Sequence, residues 1–71
     1  MDEKLLRSAM IKHGDTQGML AEAMGISLSR LNAKINNNGA EFKQTEIMFI
    51  KQRYKLTAKE VNEIFFNPKV S

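Results

Sequence analysis

Two helix-length runs of good helix formers meet at Gly25-Ile26-Ser27, and no other feature limits the fold of this chain as much. The first run is Thr16-Gln17-Gly18-Met19-Leu20-Ala21-Glu22-Ala23-Met24, and the second is Leu28-Ser29-Arg30-Leu31-Asn32-Ala33-Lys34-Ile35. Glycine accepts a positive φ without strain, so Gly25 ends the first helix at low cost and lets the chain bend sharply. Ser27 then caps the second helix. A bend at Gly25 lets Leu20, Ala21, Met24, Ile26 and Leu31 meet. The small side chain of Ala21 allows the close approach that so short a connection demands.

That pattern is a helix-turn-helix signature, and it is specific enough to carry a resemblance. Gln17, the Leu20-Ala21 pair, Gly25, Ser27 and Leu31 resemble the helix-turn-helix of bacteriophage Cro and repressor proteins, the xenobiotic-response-element type family. The likeness extends to small phage-encoded regulators. They often follow this unit with a Lys-aliphatic-Asn run, here Lys34-Ile35-Asn36, then a Phe-led helix, here Phe42 into Glu46-Ile47, and a terminal Ile-Phe-Phe, here Ile64-Phe65-Phe66. Nearly the whole chain is covered. It departs from the pattern at Lys34, where many relatives carry the apolar residue that closes the recognition helix. Ile35, four positions after Leu31, is expected to take over that role. The resemblance implies a compact all-α, lambda-repressor-like domain and a phage or prophage origin.

The rest of the chain fits five short helices around one core. The first starts at Asp2 or Glu3 and reaches about His13, with Leu5, Leu6, Ala9 and Met10 on one side at three-to-four spacing. Gly14-Asp15 ends it. Thr16 or Asp15 caps the second helix, and 36–40, with three consecutive asparagines before Gly39, has the composition of a turn. A fourth helix over 44–54 buries Ile47, Ile50 and either Phe49 or Tyr54, with Phe42 packing at its entry. Thr57 and Glu60 form a capping box for the fifth, Leu56 is its staple, and Val61, Ile64 and Phe65 give its inner face. Residues 1–66 make one domain, and 67–71, where Pro68 stops the helix, are expected to form a flexible tail. No strand pattern or repeat appears.

Seventy-one residues support a core contributing only roughly 3 to 5 kcal/mol, a size at which dimerisation helps. Cysteine is absent, so neither disulfides nor thiolate-held metal can staple the fold, and a reducing cytoplasm is the expected compartment. No segment approaches the roughly 20 apolar residues a bilayer span needs, and the acidic opening Met1-Asp2-Glu3-Lys4 is unlike a signal peptide. The expected place is the bacterial cytoplasm, associated with the nucleoid when bound to DNA, with no membrane partner.

The net charge of +3 is compatible with a nucleic-acid partner, but its distribution says more. Between Ala23 and Ala40 there is no acid, while Ser27, Ser29, Arg30, Asn32, Lys34, Asn36, Asn37 and Asn38 fill the polar positions. Such a surface suits a polyanion. If 28–35 enters the major groove, Ser27, Leu28, Ser29, Asn32 and Ala33 face the bases; Asn32 can pair with an adenine edge and Leu28 can cover a thymine methyl. Ala33 offers only its methyl. Gln17 starts a helix, where amide groups and the positive dipole end attract phosphate, and in resembling families this glutamine touches the DNA backbone. Arg30, Lys34 and Lys43 are candidate phosphate clamps, and Asn36 with its neighbours can donate to phosphates at the groove edge. For each there is a plainer alternative: a solvated helix face, a surface glutamine, a lysine stem laid over apolar neighbours, a turn.

Other residues read as structural. His13 has no partner at ligand spacing, so no metal is expected. Met10, Met19, Met24 and Met48 read as flexible core filling. No nucleophile and base pair, glycine-rich phosphate loop or carboxylate pair emerges, so neither catalysis, cofactor nor small-molecule ligand is expected. Phe65 and Phe66 point about 100° apart on a helix. Phe65 is expected inside, and Phe66 either packs against its copy in a homodimer or folds back on the first or fourth helix.

The sequence thus predicts a DNA-binding transcriptional regulator of Cro or repressor type, a homodimer on operator DNA, controlled by its own concentration because the chain has no room for a sensing domain. A rival class is a protein–protein interaction module on the same fold, such as an antitoxin, anti-repressor or assembly factor.

Overall fold

The computed structural model describes residues 1–36 and 41–66 and is all-helical, with no strand among the described residues. Five helices follow one another: α1 (Glu3–Lys12), α2 (Gln17–Met24), α3 (Leu28–Ile35), α4 (Gln44–Arg53) and α5 (Ala58–Val61), the last widening into a π-helical turn over Asn62–Phe66. The expected turn residues 37–40 and the tail 67–71 lie outside the described residues. No helix among the described residues is long and apolar enough to cross a membrane.

Each start is fixed by a side chain that accepts from an amide the helix itself cannot satisfy. Asp2 accepts from the Leu5 amide at 3.2 Å, Thr16 from Met19 at 3.1 Å and Ser27 from Arg30 at 3.1 Å. Thr57 and Glu60 form the reciprocal capping box read from the sequence, with bonds of 3.1 and 2.8 Å. The ends of α1, α2 and α4 share a second device: a residue in the left-handed region, Gly14, Gly25 or Lys55, folds the chain back so that a following amide reaches a carbonyl in the last turn. Gly25 at φ 74° lets Ile26 N–H bond the Ala21 carbonyl at 3.0 Å. At the end of α4 the same geometry falls on Lys55 at φ 53°, with Leu56 N–H bonding the Lys51 carbonyl at 2.9 Å.

The core cluster is Leu6, Met10, Leu20, Ala21, Leu31, Ile35, Ile50, Tyr54 and Ile64, against which Met1, Ala9, Met24, Ile26, Phe42, Leu56 and Phe65 pack half-buried, and Ile47 and Val61 are buried as expected. Ala21 is in the core, as the short α2–α3 connection demands. Several expectations are corrected. Leu5 lies outside the core because it stands about 100° round α1 from Leu6, over a hollow between α1 and α5. Of the two residues left open for the end of α4, Tyr54 is the buried one and Phe49 is exposed. Met19 and Met48 are exposed on the outer sides of α2 and α4, so of the four methionines expected in the core only Met10 and Met24 pack there, together with Met1. Phe65 packs edge-to-face on Phe42 with ring centroids 5.5 Å apart, while Phe66 is exposed.

Asp15, expected only to end α1 or cap α2, is a buried carboxylate that ties the α1–α2 junction to α4. It accepts two hydrogen bonds from the Arg53 guanidinium, at 2.8 and 3.0 Å, and one from the Tyr54 hydroxyl at 2.5 Å. His13, the residue after α1, stacks on the Tyr54 ring at 5.3 Å. The Arg53 guanidinium holds the Asp15 carboxyl below the usual carboxylate range against the burial that would raise it, with the Tyr54 hydroxyl helping. A carboxyl depressed in the folded state contributes stability above its unfolded value and loses it as pH falls through the folded one. The urea midpoint should therefore be flat above about pH 5 and fall steadily below about pH 4. Asp15→Ala, which strands the buried tyrosine hydroxyl, should cost about 2 to 3 kcal/mol at pH 7 and remove much of that acid dependence.

Candidate nucleic-acid interface

The third helix is held to the body of the protein by one side only. Leu31 and Ile35 are fully buried, and Lys34 joins them at 4% exposure. This corrects the sequence expectation for Lys34. Lys34 is buried and so does not face outward as a phosphate clamp, and Ile35, which closes the inner side of the helix as expected, shares that role with Lys34 beside it. A lysine can do so because its stem is apolar and its ammonium is fully engaged. The ammonium lies 3.2 Å from the Glu46 carboxylate, donates to the Glu41 carbonyl at 3.1 Å and stands 6.0 Å from the centre of the Phe42 ring.

Glu46 is in turn fixed by the start of α4, where the same carboxylate oxygen accepts from the Lys43 amide at 2.8 Å. Burial pushes the Glu46 carboxyl up, but the Lys43 amide and the Lys34 ammonium together hold it below its ordinary range. The pair therefore locks the rotation of α3 about its own axis. Removing one partner of a buried pair strands the other, whereas replacing both with apolar groups of similar size is often neutral. Glu46→Leu should cost about 3 kcal/mol in chemical denaturation, and adding Lys34→Met to it should recover most of that loss.

With those three residues turned inward, the opposite side of α3 is open. Ser27, Leu28, Ser29 and Arg30 are exposed, and Asn32 and Ala33 are half-buried. Leu28 is the large apolar residue of this flank, 47% exposed. The Ser27 hydroxyl oxygen is already used as the cap, which leaves its proton free to donate. No carboxylate belongs to the flank. The five side chains expected to face the bases, Ser27, Leu28, Ser29, Asn32 and Ala33, thus lie on the side left open by a rigidly held inner side, with Arg30 at the far edge of the flank.

Gln17 is half-buried at the first position of α2, and Asn36 is exposed just after α3. A residue not singled out in the sequence connects these two. Arg7 donates to the Glu3 carboxylate at 3.2 Å and to the Asn36 side-chain oxygen at 3.4 Å, and with Gln17, Met10, Ile11 and Asp15 it borders a shallow hollow of about 360 Å³. Nothing local in the sequence marks Arg7, because its partner Asn36 lies 29 positions away. Its contact uses the Asn36 side-chain oxygen as the acceptor. Lys43 is exposed at the start of α4, and its amide is committed to Glu46.

Among the described residues no cluster of His, Cys, Asp or Glu has the arrangement to hold a metal ion. The chain matches no protein-family model, no curated protein and no solved structure. The residues themselves therefore carry the functional reading.

Proposed function

We propose that the protein is a sequence-specific DNA-binding regulator, a helix-turn-helix domain that lays the outer flank of α3 in the major groove. One observation carries this reading. A helix with its inner side locked by Leu31, Ile35 and the Lys34–Glu46 pair presents an outer side of donors, methyl groups and one arginine, free of carboxylates. B-DNA's major groove admits one α-helix, and the residues of its first turns reach base edges. Leu28, Ser29, Asn32 and Ala33 then face the bases, with Ser27 at the edge. Arg30 serves a phosphate, and Gln17, Lys43 and Asn36, the last oriented by Arg7, complete the backbone contacts. Arg7 is added to the phosphate-facing set on the strength of its place between Asn36 and Gln17.

A single helix reads only a few base pairs, so the reading includes a homodimer on two half-sites. Phe66, 51% exposed, is the candidate contact. It borders a hollow of about 260 Å³ with Met1, Phe42, Ile47 and Phe65, and reciprocal insertion of one copy's Phe66 into the other's hollow satisfies the two-fold symmetry of such an interface.

Binding to a selected operator, followed by fluorescence anisotropy across a salt series, tests the function. Each phosphate contact adds about 0.9 to the slope of log K against log salt. Arg30→Ala should flatten that slope by about one such increment and leave base preference intact. Asn32→Ala should keep the slope and lose about 1 to 3 kcal/mol of discrimination at one base position. If neither change alters affinity or sequence choice, α3 does not face the groove this way. Phe66→Glu should convert a dimer to a monomer in sedimentation without changing the far-ultraviolet circular dichroism; an unchanged mass removes Phe66 from the interface.

A further inference from the structure

The exposed flank of α3 also restricts which base pairs it can read. Guanine is read in the major groove by cationic forks that donate to its O6 and N7, and cytosine is read by a carboxylate that accepts from its N4. The flank holds no carboxylate. Of its two cations, Lys34 is withdrawn from the surface, its ammonium held by the Glu46 carboxylate and the Glu41 carbonyl. Arg30 remains, but it stands about 160° round the helix from both Leu28 and Asn32. It points to the groove wall when those two point to the floor.

What is left at the floor is different chemistry. Leu28 and Asn32 are four positions apart, so they are neighbours on the helix surface. Leu28 is a large apolar side chain with nearly half its surface in water, at the leading end of the helix. Asn32 carries the donor and acceptor pair that matches adenine N7 and N6, and an apolar tip matches the 5-methyl group of thymine. Ser29 and Ala33, both small, allow the helix to come close to the bases.

We infer that each half-site is A·T-rich at its centre, with Leu28 packed on the 5-methyl group of a thymine and Asn32 paired with a neighbouring adenine. This rests on the DNA-binding reading above and adds the class of sequence that is bound. Leu28 is thereby a specificity-determining residue that acts through one methyl group.

The experiment is selection of bound duplexes from a random pool, followed by replacement of each thymine in the enriched half-site with uracil, which deletes only the methyl. The expected result is an A·T-rich core in which one uracil substitution weakens binding about three- to fivefold, the effect of losing one buried methyl. In Leu28→Ala that penalty should disappear. An enriched G·C core, or uracil substitutions that change nothing, would overturn the inference while leaving DNA binding intact. So would a uracil penalty that persists in Leu28→Ala. A pool that yields no enriched sequence and binding that ignores salt would instead remove the DNA-binding reading, and this inference with it.

Discussion

The geometry of the exposed helix depends on a buried ammonium. A lysine in a core position is costly unless its charge meets a carboxylate and its remaining protons meet acceptors. Lys34 meets both conditions, through Glu46 and the Glu41 carbonyl. Apolar packing by Leu31 and Ile35 would hold α3 against the body but tolerate some rotation, since hydrophobic contact is non-directional. The ion pair is directional. Because the Glu46 carboxylate also accepts from the amide of Lys43, the residue that caps α4, the rotation of α3 is referred to the start of a second helix.

A second charged knot does for the other half of the molecule what the first does for α3. Asp15 lies at the junction of α1 and α2, and its three hydrogen bonds reach the last turn of α4. The position of α2 is thereby fixed from α4 at Arg53 and Tyr54, and the position of α3 from α4 at Glu46. The fourth helix acts as a common strut, bearing one knot near each end. For a chain with so small an apolar interior, two such links stand in for the extra core that a larger domain would have.

Much of this fold was legible because local signals carried it. The caps at Thr16, Ser27 and Thr57 and the left-handed Gly25 follow from side-chain chemistry over three or four residues, and the structure places them as read. The outward flank of α3 was legible for the same reason, since Leu31 fixes which side faces in. Contacts between distant residues were not legible. Lys34 read as a solvent-facing cation because a lysine in isolation favours water, and only the return of Glu46 twelve positions later changes its environment. Asp15 read as a cap and Arg7 as part of a polar helix face, because Arg53, Tyr54 and Asn36 are remote in sequence. The end of α4 was read within a residue, but its left-handed turn was not, because Lys55, and not glycine, takes that conformation. Leu5 and Phe49 show the limit of periodicity: both fit an apolar stripe, but the neighbouring helix covers only one edge of it.

The amide of Asp2 donates to the carbonyl of Ile64 at 2.7 Å. This bond joins the residue that caps α1 to the π-helical turn after α5, so the first and last helices are closed by a single clasp. Opening at either end removes a partner from the other, and the two are expected to exchange their amide hydrogens as one cooperative unit, independently of the α2–α3 pair. Fraying at the carboxyl end is therefore felt at the amino end, 62 residues away along the backbone, before it is felt by the helix that faces outward.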